Sequence, residues 1–589
     1  MQSLTTFLSA IFGDAFAACG YDRSYGDVVL SNRPDLGDFQ CNGALPAARE
    51  YKQNPRQIAQ QVVDALSSRA PFAAVGLAGP GFINIRLSDP FLAQHTGRMA
   101  ADARQGVPAV AESQMIILDY GGPNAAKYMH VGHLRSSIIG DSIRRIFRFA
   151  GDEVIGDIHM GDWGLQMGML ITEIERHDPT LPYFDPDFEG PYPAESPVTM
   201  DDLQVMYPAV TARCREEPIA KEAARQATME LQSGRPGYFA LWQHIHDISV
   251  NAIHEDVDQL GVSFNLWLGE SDVRDRIEPL VNNLLADGIA LESRGATIVD
   301  VSRPDDSQEY PPLILLKADG AALYGTTDLA TIQQRMAEYR PDIIAYVVDV
   351  RQSLHFEQAF RAARMAGIVP PETGLEHLPF GTMNGPDGKP FKTRDGEVLL
   401  LRNFFATVKE RARSRLEEME VAADYPEAER EHIAQLVAVA TLKFADLLNH
   451  RSKDYVFDLE RFSAFEGRTG PYLLYTAVRI KSIMRKAQEA GLEPGEILPP
   501  AGPEERELQL KFTELPDVFQ HSYETRSPNH LADYAYNLAT LFNRFYREYH
   551  ILSEADPGRQ ASWLAVSQYT LAQLELVLDL LGITVPERM

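Results

Sequence analysis

The sequence predicts an α/β molecule: a doubly wound parallel sheet, preceded by a small α+β domain and followed by an all-α bundle. Three observations predict it. The run Met115-Ile116-Ile117-Leu118 leads through Gly121-Gly122-Pro123 into Leu134, Ile138, Ile139, Ile143, Ile146, Phe147 and Ala150 at helical spacing, with Gly151 where a C-terminal cap belongs. A short continuous apolar run followed by a turn and an amphipathic helix is the signature of a buried parallel strand and its crossover. Apolar strand-like runs return at Ile298-Val299-Asp300-Val301, Leu313-Ile314-Leu315-Leu316 and 343–348, which are expected to supply the second half of the sheet. From about residue 403 onward almost every segment repeats with helical period.

Taken in order, residues 1–112 hold a helix, the segment Gly37-Asp38-Phe39-Gln40, a second helix through Pro55-Arg56-Gln57-Ile58 and a strand near Gly81-Phe82-Ile83-Asn84-Ile85. Residues 113–402 contain the sheet, with Val154 to His159 as its second strand; this alternation is that of a Rossmann-type domain. The stretch 176–250 becomes rich in Pro, Asp and Glu and then helical through 200–214 and 219–232, which reads as an insertion. Residues 403–589 form the bundle, with helices expected at 405–421, 429–449, 472–488, 531–550 and 563–581 and a Pro-rich loop at 498–503.

At 589 residues the chain has room for several domains, and 45% hydrophobic content is enough for packed cores. Its formal charge of −28, from 83 acidic and 55 basic residues, excludes a general nucleic-acid binder and requires any RNA contact to use a local basic face. Cys19, Cys41 and Cys214 are isolated, so neither a disulfide framework nor a thiolate zinc site is expected. The N-terminal stretch lacks a basic leading segment and no apolar run approaches roughly 18 residues, so a cytoplasmic chain without a membrane span is expected.

The chemistry is expected where the first helix opens. His130 and His133 are three apart and share one face of its first turn, where unpaired N–H groups and the positive dipole end attract phosphate. Gly132 between them leaves room for a flat base against the backbone. His130-Val131-Gly132-His133 has the form of the H-I-G-H signature of class I aminoacyl-tRNA synthetases. With Gly122-Pro123-Asn124-Ala125-Ala126-Lys127 before it and His133-Leu134-Arg135-Ser136 after it, the block resembles arginyl-tRNA synthetases. The resemblance extends over essentially the full chain in separated blocks, through Gly79–Asn84, 318–330, 466–480 and the C-terminal ending.

That resemblance implies activation of L-arginine by ATP with Mg2+ as co-substrate, transfer to the 3′-terminal adenosine of tRNA, and no protein-bound metal. A monomer with no DNA or membrane partner is expected. His130, His133 and Lys127 are the catalytic candidates; with Gly132, Lys389 and Lys392 they form the ATP set. The stretch 385–394 resembles the K-M-S-K-S loop in degenerate form, with Thr393 where the second lysine belongs and Lys127 as its replacement. For the guanidinium, a permanently charged planar fork best met by a carboxylate, the leading residue is Asp328, with Tyr324 four positions earlier. Asp119, Asn124 and Gln352 complete the expected arginine set. Phe82 and Asn84, two apart on a strand, resemble the module that touches the tRNA elbow, and Tyr472, Tyr475 and Arg479 lie in a block that resembles the anticodon-binding bundle. Two other readings stay open on sequence: a class I synthetase for another amino acid, and a non-catalytic tRNA-binding paralogue.

Overall fold

The computed structural model describes residues 1–66, 71–318, 320–389, 391, 399–419 and 424–589. The chain divides into two compact units, residues 111–463 and residues 1–110 with 464–589.

The first of these holds a four-stranded parallel sheet in the spatial order Gly374–His377, Ile343–Tyr346, Met115–Asp119, Glu153–Asp157. Ile116, Ile117, Leu118, Ile344 and Ala345 are fully buried, as expected of strands covered on both faces. In-register pairing aligns His377, Tyr346, Asp119 and Asp157 along the carboxyl edge. Chain order reverses between Met115–Asp119 and Ile343–Tyr346, so the crevice beyond that edge is a topological switch point, where ligands of open α/β sheets bind. Ser136 spans the crevice: its Oγ accepts from Gly121 N–H at 2.8 Å and donates to the Val347 carbonyl at 2.6 Å.

Two of the strands expected in this sheet lie elsewhere. Ala296–Val299 pairs with Ala290–Ser293 on one side and Leu313–Leu316 on the other, in a separate antiparallel sheet. Arg294 and Gly295, both with positive φ, make the tight hairpin turn, which commits the following strand to antiparallel pairing. The link to Leu313 carries Pro304, Pro311 and Pro312 and no helix, so the crossover a parallel pairing needs is missing. Leu313 and Leu315 are buried while Ile314 is 42% exposed, the pattern of a sheet wet on one face.

The insertion folds as three helices, Met200–Glu216, Pro218–Gln232 and Pro236–Gln259, packed on Leu165–His177 through Met167, Leu170, Ile171, Leu203, Leu231 and Leu241. The helices Leu401–Glu418 and Glu427–Leu447 also belong to this unit, so the segment boundary expected at 402 falls inside it. Arg135 shows why. Its buried guanidinium donates to Asp446 on Glu427–Leu447 at 2.8 Å and to the Gly381 carbonyl at 2.7 Å, tying that helix to Val131–Ala150.

In the other unit, residues 1–110 contribute an antiparallel sheet ordered Val28–Leu30, Phe39–Cys41, Phe82–Leu87, Phe72–Ala78. Leu4, Leu8, Phe12 and Phe16 of one helix and Ile58, Val62 and Leu66 of another pack in its core. The C-terminal part is Gly470–Glu489, Pro503–Phe512, Leu515–Thr525, Asn529–Glu548 and Pro557–Leu580. Among the described residues no helix is long and apolar enough to cross a membrane.

Candidate active site

The helix Val131–Ala150 starts with both histidines acting as caps. His130 Nδ1 accepts from Gly132 N–H at 3.0 Å, and His133 Nδ1 accepts from His130 N–H at 3.2 Å. Accepting at Nδ1 assigns the ring proton of each neutral imidazole to Nε2. The rings stack with centroids 3.8 Å apart. Burial, then the Lys127 charge, lowers the His130 pKa; burial, then His130 and Lys127, holds His133 well below the ordinary value. The pair is therefore neutral at physiological pH and presents two Nε2–H donors at the positive end of a helix. A Cβ on Gly132 would come within 2.7 Å of the capping His130 ring, so the cap itself calls for glycine there.

The chain just beyond the degenerate loop is fixed against these histidines. Val131 N–H donates to the Leu399 carbonyl at 3.0 Å and Leu401 N–H to the Met129 carbonyl at 2.9 Å. On the other flank Phe391 packs on Phe404 at 5.2 Å, and exposed Lys389 follows a turn closed by Gly385 N–H on the Lys389 carbonyl at 2.7 Å. Lys392 and Thr393 lie outside the described residues.

Lys127, half-buried, places Nζ 4.0 Å from the ring centroid of Tyr207 on the inserted helix Met200–Glu216. The next residue, Tyr128, donates to Asp201 of the same helix at 2.8 Å and lies under Arg402 at 3.6 Å. Asn124 is half-buried and bridged to Gly161; a Cβ on Gly161 would come within 2.5 Å of Asn124 Oδ1.

Tyr324 and Asp328 lie one turn apart on the helix Tyr324–Tyr339. Asp328 Oδ2 meets His355 Nε2 at 2.5 Å, a partner the sequence reading did not name. Burial lowers the imidazole's pKa, but the hydrogen bond and charge of Asp328 outweigh it and the net direction is upward. A second unanticipated group is Glu270, in the turn Glu270–Val273, held by its N–H on the Met160 carbonyl at 3.0 Å. Its carboxyl is pushed up to about 8 by burial and by the charges of Asp162 and Asp328. Tyr324 is 67% exposed at this cluster, and desolvation with the Glu270 charge raises its phenol. Gln352 is exposed in the turn Val350–Gln352 that starts the next helix.

Asp119 is engaged from behind: Arg335 donates to Asp119 Oδ2 and to Asp157 Oδ2, both at 2.6 Å. Register places Asp119 beside Asp157 on the adjacent strand, and two buried carboxylates side by side need a counter-charge. Asp119, Asp157 and His159 bring ligand atoms within 4.8 Å of one another, but the Arg335 guanidinium already supplies the cation there.

In the other unit, Asn84 is buried with its amide oxygen accepting from Gln40 Nε2 at 2.9 Å, and Phe82 is half-buried. Tyr472, Tyr475 and Arg479 are drawn together. Asn543 donates to Tyr472 Oη at 3.0 Å and accepts from Arg479 at 2.6 Å, while the guanidinium lies 4.8 Å from the Tyr475 ring and 5.7 Å from that of Tyr546.

Comparison with known proteins agrees along the whole chain. Residues 96–459 match the family described as tRNA synthetases class I (R), catalytic domain, residues 473–589 the DALR anticodon binding domain, and residues 6–87 the arginyl tRNA synthetase N terminal domain. The arginine–tRNA ligases of Maricaulis maris and Alkaliphilus oremlandii are 50% and 48% identical, each alignment covering 100% of both chains. The arginyl-tRNA synthetases of Plasmodium falciparum and Thermus thermophilus share the fold at TM-scores of 0.81 and 0.79, with 24% and 23% identity over 100% of each chain. With two histidines capping the helix that follows the switch-point strand, and full-length relatives at about half identity, this chain belongs to the arginyl-tRNA synthetase family of class I.

Proposed function

We infer that the protein is an arginine–tRNA ligase that first forms arginyl-adenylate from L-arginine and ATP, releasing pyrophosphate, and then transfers arginine to the 3′-terminal adenosine of its tRNA. The observation that carries this reading is the position of Asp328 and Glu270, two carboxylates within each other's electrostatic reach, in the unit whose first helix opens on His130 and His133. A guanidinium is a permanent cation with paired donors, so it can take Asp328 from His355 and draw the proton off Glu270 to pair with both carboxylates, which a neutral amino acid cannot do.

In the first step an arginine carboxylate oxygen attacks the α-phosphorus, a P–O bond forms, and the bond to the leaving pyrophosphate breaks. Charge spreads over phosphate oxygens, which the Nε2–H groups of His130 and His133 and the ammonium of Lys127 are suited to meet. Lys389 and Lys392 are proposed to add to this from the degenerate loop, and Mg2+ to enter on the triphosphate. In the second step a ribose hydroxyl attacks the acyl carbon and AMP leaves. Asn124 and Gln352 are proposed to hold the α-amino and carboxylate groups, Asp328, Glu270 and Tyr324 the guanidinium. Asp119 is assigned a supporting role behind Arg335.

For tRNA, Tyr472, Tyr475 and Arg479 are proposed as a stacking and charge surface for unpaired bases, and Phe82, on the strand it shares with Asn84, as the elbow contact. The chain is proposed to act as a cytoplasmic monomer; its three thiols are unpaired, with Cys41 and Cys214 buried.

Pyrophosphate exchange with arginine, with and without tRNA, tests the reading. Exchange specific to arginine is expected, and His133→Ala is expected to lower it about 100-fold or more, as for loss of one transition-state donor. No exchange with arginine even when tRNA is present would overturn the assignment.

A further inference from the structure

Lys127 has an unusual setting for a surface-reaching lysine. Its charge acts on both His130 and His133, so it stands beside the phosphate-facing imidazoles. Among the described residues no carboxylate lies in ion-pair range of it, and its contact is the Tyr207 ring, 4.0 Å from Nζ to the centroid. An aromatic face orients an ammonium without consuming its N–H donors, whereas a carboxylate would neutralise the charge that phosphate must meet. The contact is not isolated. The Lys127-Tyr128 dipeptide lies on a single inserted helix, Met200–Glu216, through Tyr207 and through Asp201, which accepts from Tyr128 at 2.8 Å. That helix is itself fixed at its start by a capping box between Thr199 and Asp202. On the other side Met129 N–H donates to Asp256 at 3.3 Å, so three consecutive residues before His130 are each held by a different group.

We propose that Tyr207 is a positioning residue for adenylate formation: the inserted helix uses its ring to hold the Lys127 ammonium beside the two histidines, charged and unpaired, until ATP arrives. The inference rests on the role given to Lys127 above. It gives the insertion a function in the first chemical step, separate from any contact with RNA.

The test is steady-state pyrophosphate exchange by the full chain with arginine and tRNA present, reading kcat and the KM values for ATP and for arginine separately. Lys127→Met is expected to lower kcat/KM strongly. Tyr207→Leu is expected to lower it about three- to tenfold, the range an aromatic–cation contact supports, with KM for arginine unchanged. Tyr207→Phe, which keeps the ring, should restore parent behaviour, and Tyr207→Leu should add nothing in the Lys127→Met background. Should Tyr207→Leu fail to fold, pentafluorophenylalanine at position 207 keeps the ring's shape while removing its negative face, and the same loss is expected. Parent-like activity of the ring-altered variant, or a loss that multiplies with that of Lys127→Met, would overturn the Tyr207 inference while leaving the lysine's role intact. A parent-like Lys127→Met would overturn the role of the lysine itself and the inference with it.

Discussion

With its carboxyl pushed up to about 8 by burial and by the charges of Asp162 and Asp328, Glu270 holds a proton at neutral pH before any ligand binds. Only the ionised form makes an ion pair with a guanidinium, so arginine binding expels that proton and tightens as pH rises toward 8, then levels off. The slope is at most about tenfold per pH unit for one proton. His355 works in the same direction. Its pKa is raised by Asp328, so below that pKa an imidazolium competes with the ligand for the same carboxylate. The KM for arginine in exchange is therefore expected to fall between pH 6 and 8.5, and Glu270→Gln should flatten the profile while raising KM at pH 8.5. A parent KM that does not change over this interval would remove Glu270 from the guanidinium site.

At the scale of elements, Met115–Asp119 and Val131–Ala150 were legible because burial and period coincide in them, and both end on a turn residue or cap. Ala296–Val299 and Leu313–Leu316 were misplaced because a short apolar run has the same composition in a parallel core and on the inner face of an antiparallel sheet; the turn at Arg294-Gly295 decides, not the run. Pro503–Phe512 and Leu515–Thr525 escaped notice beside a Pro-rich loop. Glu270, His355 and Tyr207 were not legible since no spacing links them to Asp328 or Lys127; only the fold brings them together. The same close fit sets a stability expectation. A Cβ on Gly140, inside Val131–Ala150, would lie 2.3 Å from Tyr120 Cγ, so Gly140→Ala must push the helix off the strand end that leads into Gly121. Such overpacking costs about 1–3 kcal/mol, against a gain of roughly 0.5–1 kcal/mol for alanine over glycine in an open helix. Gly97, in the helix Asp89–Ala101, has nothing within 4 Å of that position, so Gly97→Ala is the matched control. Urea unfolding should show a lower midpoint for Gly140→Ala and an unchanged or higher one for Gly97→Ala.

At the scale of the whole molecule, residues 1–110 and 464–589 form one compact unit although more than half the chain separates them in sequence. Arg506, on Pro503–Phe512, is a principal tie. Its guanidinium donates to both Asp38 oxygens at 2.8 Å, to Asp89 at 2.8 Å and to the Leu87 carbonyl at 3.1 Å. Asp38 also accepts from Leu87 N–H at 2.8 Å, so one carboxylate serves the sheet and the helix together. With side-chain exposures of 13% and 5%, Arg506 and Asp38 are largely desolvated. Removing one member of such a pair leaves the other charge buried without compensation, which costs about 3–5 kcal/mol, whereas an exposed pair is worth under about 1 kcal/mol. Arg506→Met is accordingly expected to lower the thermal unfolding midpoint of this unit by several degrees. Asp38→Asn should do nearly the same, and the double variant should lose much less than the sum, because the second substitution removes the stranded charge. Additive losses in that cycle would mean that the two side chains act independently and that apolar packing, not this ion pair, joins the chain's two ends.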